Sequence, residues 1–332
     1  MIWDKNSKPF FALAPMADVT DPAYRKLIAA SSKGLPTSIP YITWTEFVSA
    51  DGLYHTREKK GMLDAENPLV RDLLYTEGER PVIAQFFTSR PEMMEYAAAL
   101  AVELGFDGVD INMGCPDRSI EKQGAGAAHI KDPQTAKRVI EAALQGTGGK
   151  IPVSVKTRLG FNTIEYDTWL PHLLETGISA LTLHMRTRKE MSKVAAHWEL
   201  GAEIVSFCKK HRPDLPILGN GDLVSVQDAE SRVLSQGFDG AMLGRAIFGN
   251  PWLFSGRDLE TVTPAERIEA LLTLARSFST LAPQKHFSIL KKHFKAFISG
   301  WDGAAELRAR LMVINSLEEL ETVLGEYDSA NQ

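Results

Sequence analysis

Eight short apolar runs, each opening after a glycine, a proline or a polar turn, alternate along this chain with segments of helical period. No other feature restricts its fold as strongly. The runs are FFALAPM, IPYITWTEF, PVIAQFF, DGVDINM, PVSVKTRL, ALTLHM, PILGNGD and GAMLGR, and their length and bounding turn residues predict strands. Between them, PEMMEYAAALAVELG, DPQTAKRVIEAALQG and VQDAESRVLSQG place apolar residues at helical spacing and end on glycine, the usual left-handed helix stop. Eight strand–helix units over about 250 residues predict an α/β fold, a (β/α)8 TIM barrel, because an open doubly wound sheet has fewer strands and a reversal of strand order.

The alternation stops after GRAIFGNPWLF, and from Thr263 the chain reads as wholly helical. TPAER supplies an N-cap threonine, a proline at the first helical position and Glu266 at the capping-box position; Ser316 and Glu319 repeat the box before a last helix. The expected division is a barrel over residues 1–255 and a small helical domain over 256–332, which 332 residues accommodate.

Composition excludes several classes. With 44% hydrophobic and 24% charged residues and no low-complexity tract, the chain is globular. MIWDKNSKPFF lacks the basic-then-apolar order of a signal peptide, and no apolar run approaches the ~18 residues of a membrane span; a cytoplasmic protein with no membrane association is expected. Cys115 and Cys208, the two cysteines, lie too far apart in sequence for a disulfide framework or a zinc cluster of their own. A net charge of -5 argues against a uniformly basic surface. It leaves room for local basic faces at HMRTRKEMSK (Arg186, Arg188, Lys189, Lys193) and KHFSILKKHFK (Lys285, Lys291, Lys292, Lys295), or for two ordinary solvated surfaces. No obligate protein partner is evident.

Barrel enzymes carry their chemistry at the C-terminal ends of strands. There the sequence places Met16 and Asp18, Glu46, Gln85, Asn112 and Cys115, Lys156 and Arg158, His184 and Arg186, Asn220 and Asp222, and Gly244 with Arg245. LGNGDL and LGRAIFGNP put glycines and Arg245 where loops seven and eight of such barrels hold a phosphate. Lys156 can stabilise negative charge on a bound ring. With Gln85 and His184 along a ring edge, the set suits flavin mononucleotide, FMN. Cys115 precedes a proline, which ends the strand and points it to the mouth. No metal-ligand spacing accompanies it, so it is read as reactive, as nucleophile or proton donor, while Cys208 on a helix is read as structural.

At these residues the chain resembles the tRNA-dihydrouridine synthase family: APMADVTDPAYR, DINMGCP followed by GAGAAHIKDP, VKTRLG, LTLHMRTR, GNGDL, GRAIFGNPW, KKHFKAFISG and LRARL stand in the family's order and spacing. The resemblance implies an FMN enzyme that uses NADPH to reduce the C5=C6 bond of particular uridines in tRNA, with hydride to C6 and a proton from Cys115 to C5. It assigns Asn112 and Arg158 to the uracil. Pro15, Met16, Gln85, Lys156, His184, Asn220, Asp222, Gly244 and Arg245 are assigned to FMN, and the helical tail to the RNA. One stretch departs from the family: Met185 stands where glycine is frequent, and Ser192 stands near the place of a substrate-facing tyrosine. Two other readings fit the residues, a barrel flavoprotein reducing a small pyrimidine or enone and an RNA-binding protein that has lost catalysis.

Overall fold

The structure, a computed structural model, describes residues 2–3 and 8–331, with side chains to 327. Its strands are β1 Phe10–Leu13, β2 Tyr41–Ser49, β3 Val82–Phe87, β4 Gly108–Met113, β5 Val153–Arg158, β6 Ala180–His184, β7 Ile217–Asn220 and β8 Gly240–Leu243. They match the eight predicted runs in order. All pair in parallel and in sequence order, and β8 pairs back onto β1 (Phe10 opposite Gly240, Leu13 opposite Leu243), which closes the barrel.

Strand periodicity sorts the side chains into two layers. Phe10, Ala12 and Ala14 of β1 and its extension meet Ile42, Trp44, Ile83, Leu218 and Met242 in one buried cluster that fills the lower barrel. Phe11 and Leu13, one residue out of phase, belong to the larger core between strands and helices. Two residues further along two strands, the inward positions turn polar: Ile83 gives way to Gln85, and Leu218 to Asn220. Apolar burial thus holds the barrel floor, and the change of residue type marks where the site begins.

The helices form where capping chemistry sets them. Asp21 accepts the Tyr24 N–H at the start of helix Pro22–Ser32, Asp132 the Thr135 N–H before Pro133–Thr147, and Ser225 the Asp228 N–H before Val226–Gln236. The second and third end on left-handed Gly148 and Gly237. The predicted Thr263 box is complete: the Glu266 N–H donates to Thr263 Oγ1 at 3.3 Å, and the Thr263 N–H to Glu266 Oε2 at 2.9 Å. At the last helix the box is shifted, because Ser316 Oγ accepts the Glu319 N–H while the Glu319 carboxylate reaches back to the Asn315 N–H at 2.7 Å.

The tail helices Pro264–Ser279, Lys291–Phe297, Ala304–Val313 and Leu317–Asn331 share one continuous core with the barrel's outer layer. Tyr24 of the first barrel helix packs its ring 4.6 Å from His293 and 6.1 Å from Phe297. Two residues expected on basic surfaces are inside instead: Lys285 is 7% exposed and Arg186 is 2% exposed. Lys285 lies among Glu46, Asp72 and Asp18, and Arg186 pairs with Asp222, so neither contributes to a solvated basic face.

Candidate active site

The polar strand ends surround a cavity of about 320 Å³ at the barrel mouth. Pro15, Met16, Asn112, Cys115, Lys156, Arg158, His184, Asn220, Asp222, Gly244 and Arg245 all line it. Gln85 does not. It is fully buried, with its amide bridging Asn112 and Asp110 beneath the cavity wall.

Asn112, the penultimate residue of β4, folds its side chain onto the following turn, so that its Oδ1 accepts both the Gly114 N–H (3.1 Å) and the Cys115 N–H (2.9 Å). The Cys115 carbonyl accepts the Ala127 N–H at 3.0 Å, and a Cβ on Gly126 would lie 2.8 Å from that carbonyl. Only glycine permits so close an approach, so the GAGAAH segment pins the cysteine from the far side. Half-buried Cys115 has its thiol pKa raised, chiefly by burial and further by the Asp117 charge, against smaller opposing effects from the Asp117 backbone, Arg158 and Lys156. It is a protonated thiol at neutral pH. Cys208 is fully buried on a helix, with its thiol pushed up to about 12 by burial.

Four cations and one carboxylate line the mouth: Lys156, Arg158, Arg186, Arg245 and Asp222. Burial, reinforced by Arg158, lowers Lys156 to about 8. Arg158 donates from Nε to Gly114 O (2.7 Å) and from Nη1 to Thr187 O and Met191 O, tying the fourth and sixth loops together. Asp222 bridges Arg186 and Arg245 and accepts the Ala196 N–H at 2.9 Å. Arg186 Nη1 lies 3.2 Å from His184 Nε2. Because a guanidinium only donates, His184 accepts there and carries its proton on Nδ1. Burial and the surrounding cations hold His184 well below its ordinary pKa, hence neutral.

Sequence reasoning placed Arg186 at the mouth and on a candidate basic face; the structure shows it hydrogen-bonded to His184 and paired with Asp222. It missed Phe47 and Met191, which also line the cavity. Met191 has a left-handed backbone (φ 54°) and is 42% exposed; its neighbour Ser192, singled out from the sequence, was the available signal. Met185 is fully buried in the core, so the departure at that position does not reach the cavity wall.

A closed parallel barrel whose mouth combines excess positive charge, a neutral histidine and a protonated thiol defines a flavin-dependent oxidoreductase: the cationic donor set fits an anionic flavin, and the thiol and imidazole supply proton chemistry beside it. The chain belongs to the dihydrouridine synthase family, whose model matches residues 12–331. It is 34% identical over 334 residues to a probable tRNA-dihydrouridine synthase of Staphylococcus epidermidis, covering 98% of this chain and 96% of that one. It is 35% identical over 333 residues to probable tRNA-dihydrouridine synthase 2 of Bacillus subtilis, with 98% and 96% coverage. Among solved structures, a 2-naphthoyl-CoA reductase complex superposes with a TM-score of 0.53 at 10% identity, over 74% of this chain and 49% of that one, a likeness of fold. Among the described residues, no helix is long and apolar enough to cross a membrane.

Proposed function

We propose that this protein reduces the C5=C6 bond of specific uridines in tRNA, with FMN as the flavin, NADPH as reductant and Cys115 as the acid. The observation that carries the reading is Cys115 itself: a thiol held protonated by burial, at the cavity rim, with its backbone fixed from both sides by Asn112 and Ala127. Glycines and Arg245 of the seventh and eighth loops would hold the FMN phosphate, while Lys156, His184, Asn220 and the Pro15–Met16 segment would line its ring system. When bound, FMN would supply the hydride for uracil C6, with NADPH as its reductant.

The chain's own residues do the rest. A uridine flipped out of its stack enters the mouth beside Asn112 and Arg158, at a cost of a few kcal/mol offset by contacts to the RNA backbone. Cys115 Sγ gives its proton to C5 as C6 is reduced, and the thiolate left behind takes a proton from water. Its raised pKa suits this role, since an acid must hold its proton at neutral pH until the base is in place. Gln85 stands behind the cavity wall, hydrogen-bonded to Asn112. The helical segment after residue 255 is the second wall for the RNA, with Lys291, Lys292 and Lys295 as its basic residues, and the site of action is the cytoplasm, where tRNA resides.

The test is direct: protein, NADPH and unmodified tRNA are combined and dihydrouridine is mapped by mass spectrometry. Site-specific dihydrouridine is expected with the wild type and none with Cys115→Ala, although that variant still oxidises NADPH. Normal conversion by Cys115→Ala would remove the cysteine as the acid. Truncation after residue 263, a natural way to ask whether the tail matters, is uninformative here, because Phe278, Phe294 and Phe297 belong to the shared core and the cut would expose it.

A further inference from the structure

Asp110 lies on β4 two residues before Asn112, fully buried beneath the mouth. It is not among the residues that line the cavity, and the proposed reaction gives it no task. Both of its oxygens are nonetheless engaged: Ser154 Oγ donates to Oδ1 at 2.6 Å, and Gln85 Nε2 donates to Oδ2 at 2.6 Å. Gln85 Oε1 in turn accepts from Asn112 Nδ2 at 3.2 Å, and Asn112 Oδ1 accepts the Gly114 and Cys115 N–H groups.

The direction of this chain of hydrogen bonds is set from its two ends. Backbone N–H groups only donate, so they fix Asn112 with its oxygen toward the turn and its NH2 toward Gln85. Burial raises the Asp110 carboxyl to about 6, still below neutral pH, so it is ionised and only accepts, which fixes Gln85 with its NH2 toward Asp110 and its oxygen toward Asn112. Neither amide is free to flip without setting donor against donor. A buried polar chain satisfied at every member is rigid, and one left unsatisfied at a single member is costly.

We propose that Asp110 is a positioning residue for the proton-donating cysteine: as a buried hydrogen-bond acceptor it orients Gln85, Gln85 orients Asn112, and Asn112 holds the Cys115 turn against the cavity. The relay delivers no proton. It fixes where the thiol stands. This inference rests on Cys115 being the acid.

Two substitutions separate the acceptor from the charge. Asp110→Leu removes both, while Asp110→Asn removes the charge and keeps an oxygen that can accept from Gln85, with its NH2 turned to Ser154. Both lose the charge near Lys156 equally, so their difference reads the acceptor alone. With bound flavin and NADPH oxidation retained in each, Asp110→Leu is expected to lower the rate of uridine reduction about 100-fold at saturating tRNA, the scale of an ångström-sized misplacement. Asp110→Asn is expected to stay within about 10-fold of wild type, the lesser loss of exchanging a charged for a neutral acceptor.

Equal rates for the two variants, both impaired or both normal, would overturn the proposal. Should either variant fail to fold, a neutron diffraction map of the wild type decides: deuterons on Gln85 Nε2 facing Asp110 and on Asn112 Nδ2 facing Gln85 are expected, and the reverse orientation overturns it. Absence of uridine reduction in the wild type would instead defeat the functional reading, so the two failures are distinguishable.

Discussion

Lys285 of the tail places its Nζ 2.7 Å from Glu46 Oε2 of β2 and 3.1 Å from Asp72 Oδ1, with its side chain only 4% exposed. Burial would lower its pKa, but Glu46 and Asp72 outweigh that effect and raise it. Glu46 uses its other oxygen to accept the Asp18 N–H, in the loop that also carries Met16 to the cavity wall. The ion pair therefore joins the tail, the barrel and the loop that bears Met16. Removing one member of a buried pair strands the other, so Lys285→Met is expected to lower stability by about 3–5 kcal/mol. Adding Glu46→Gln should recover most of the loss. Urea denaturation measures both, and a cost for the single variant well below that of the double would show that the pair does not act as a unit.

His293 gives the fold a defined sensitivity to acid. It is fully buried between the rings of Tyr24 and Phe248, and neither ring nitrogen has a hydrogen-bond partner. Burial, with a smaller contribution from Lys292, lowers its pKa from 6.5 to about 3. The unfolded chain therefore binds a proton below pH 6.5 that the folded chain refuses, so the stability present above that value is lost as pH falls toward 3. Relative to a His293→Phe variant, the wild type should lose about 2 kcal/mol more between pH 7 and pH 5. Denaturation midpoints at the two pH values check this, and parallel losses in both proteins would contradict it.

The barrel was legible because strands buried on both faces read as nearly unbroken apolar runs, and the site was legible because polar residues interrupt those runs near the mouth. Asn112, Lys156, His184 and Asn220 were found in that way. Gln85 shows where such legibility ends. It stands two residues before the end of its strand, fully buried, with Asn112 donating to its Oε1 and no place in the cavity lining. Lys285 shows another limit: its neighbours in KHFSILKKHFK suggest a basic surface, but Glu46 lies 239 residues away in sequence, and only the folded chain brings that carboxylate to it. Asp110 was hidden inside a strand run, where one acidic residue reads as an irregularity until its partners on β3 and β5 are known.

Arg245 offers a test of how the flavin is anchored. Its side chain is 64% exposed and paired with Asp222 at the edge of the cavity, and the proposed function gives it the FMN phosphate. A hydrogen bond to a charged group contributes roughly 1.5–3 kcal/mol. Arg245→Ala should therefore weaken FMN binding by about 10- to 100-fold while leaving riboflavin, which lacks the phosphate, nearly unaffected. Fluorescence titration of flavin-free protein with each compound distinguishes the two, and equal losses would place Arg245 against the ring system instead.

The basic residues that do reach the surface of helix Lys291–Phe297 are Lys291, Lys292 and Lys295, the first two half-buried and the third exposed. His293, Phe294 and Phe297 anchor the same helix in the core, so the lysines are held on a fixed frame rather than a loose arm. If they meet RNA phosphates, affinity for tRNA must depend on salt through the counterions they displace. Replacing all three by glutamine should weaken tRNA binding and reduce the slope of log affinity against log salt by about one unit for each phosphate that a lysine no longer neutralises. The core residues and the barrel mouth are untouched, so melting temperature and NADPH oxidation should remain at wild-type values. Filter binding across a salt series reads the slope, and an unchanged slope would move the RNA-binding face away from this helix.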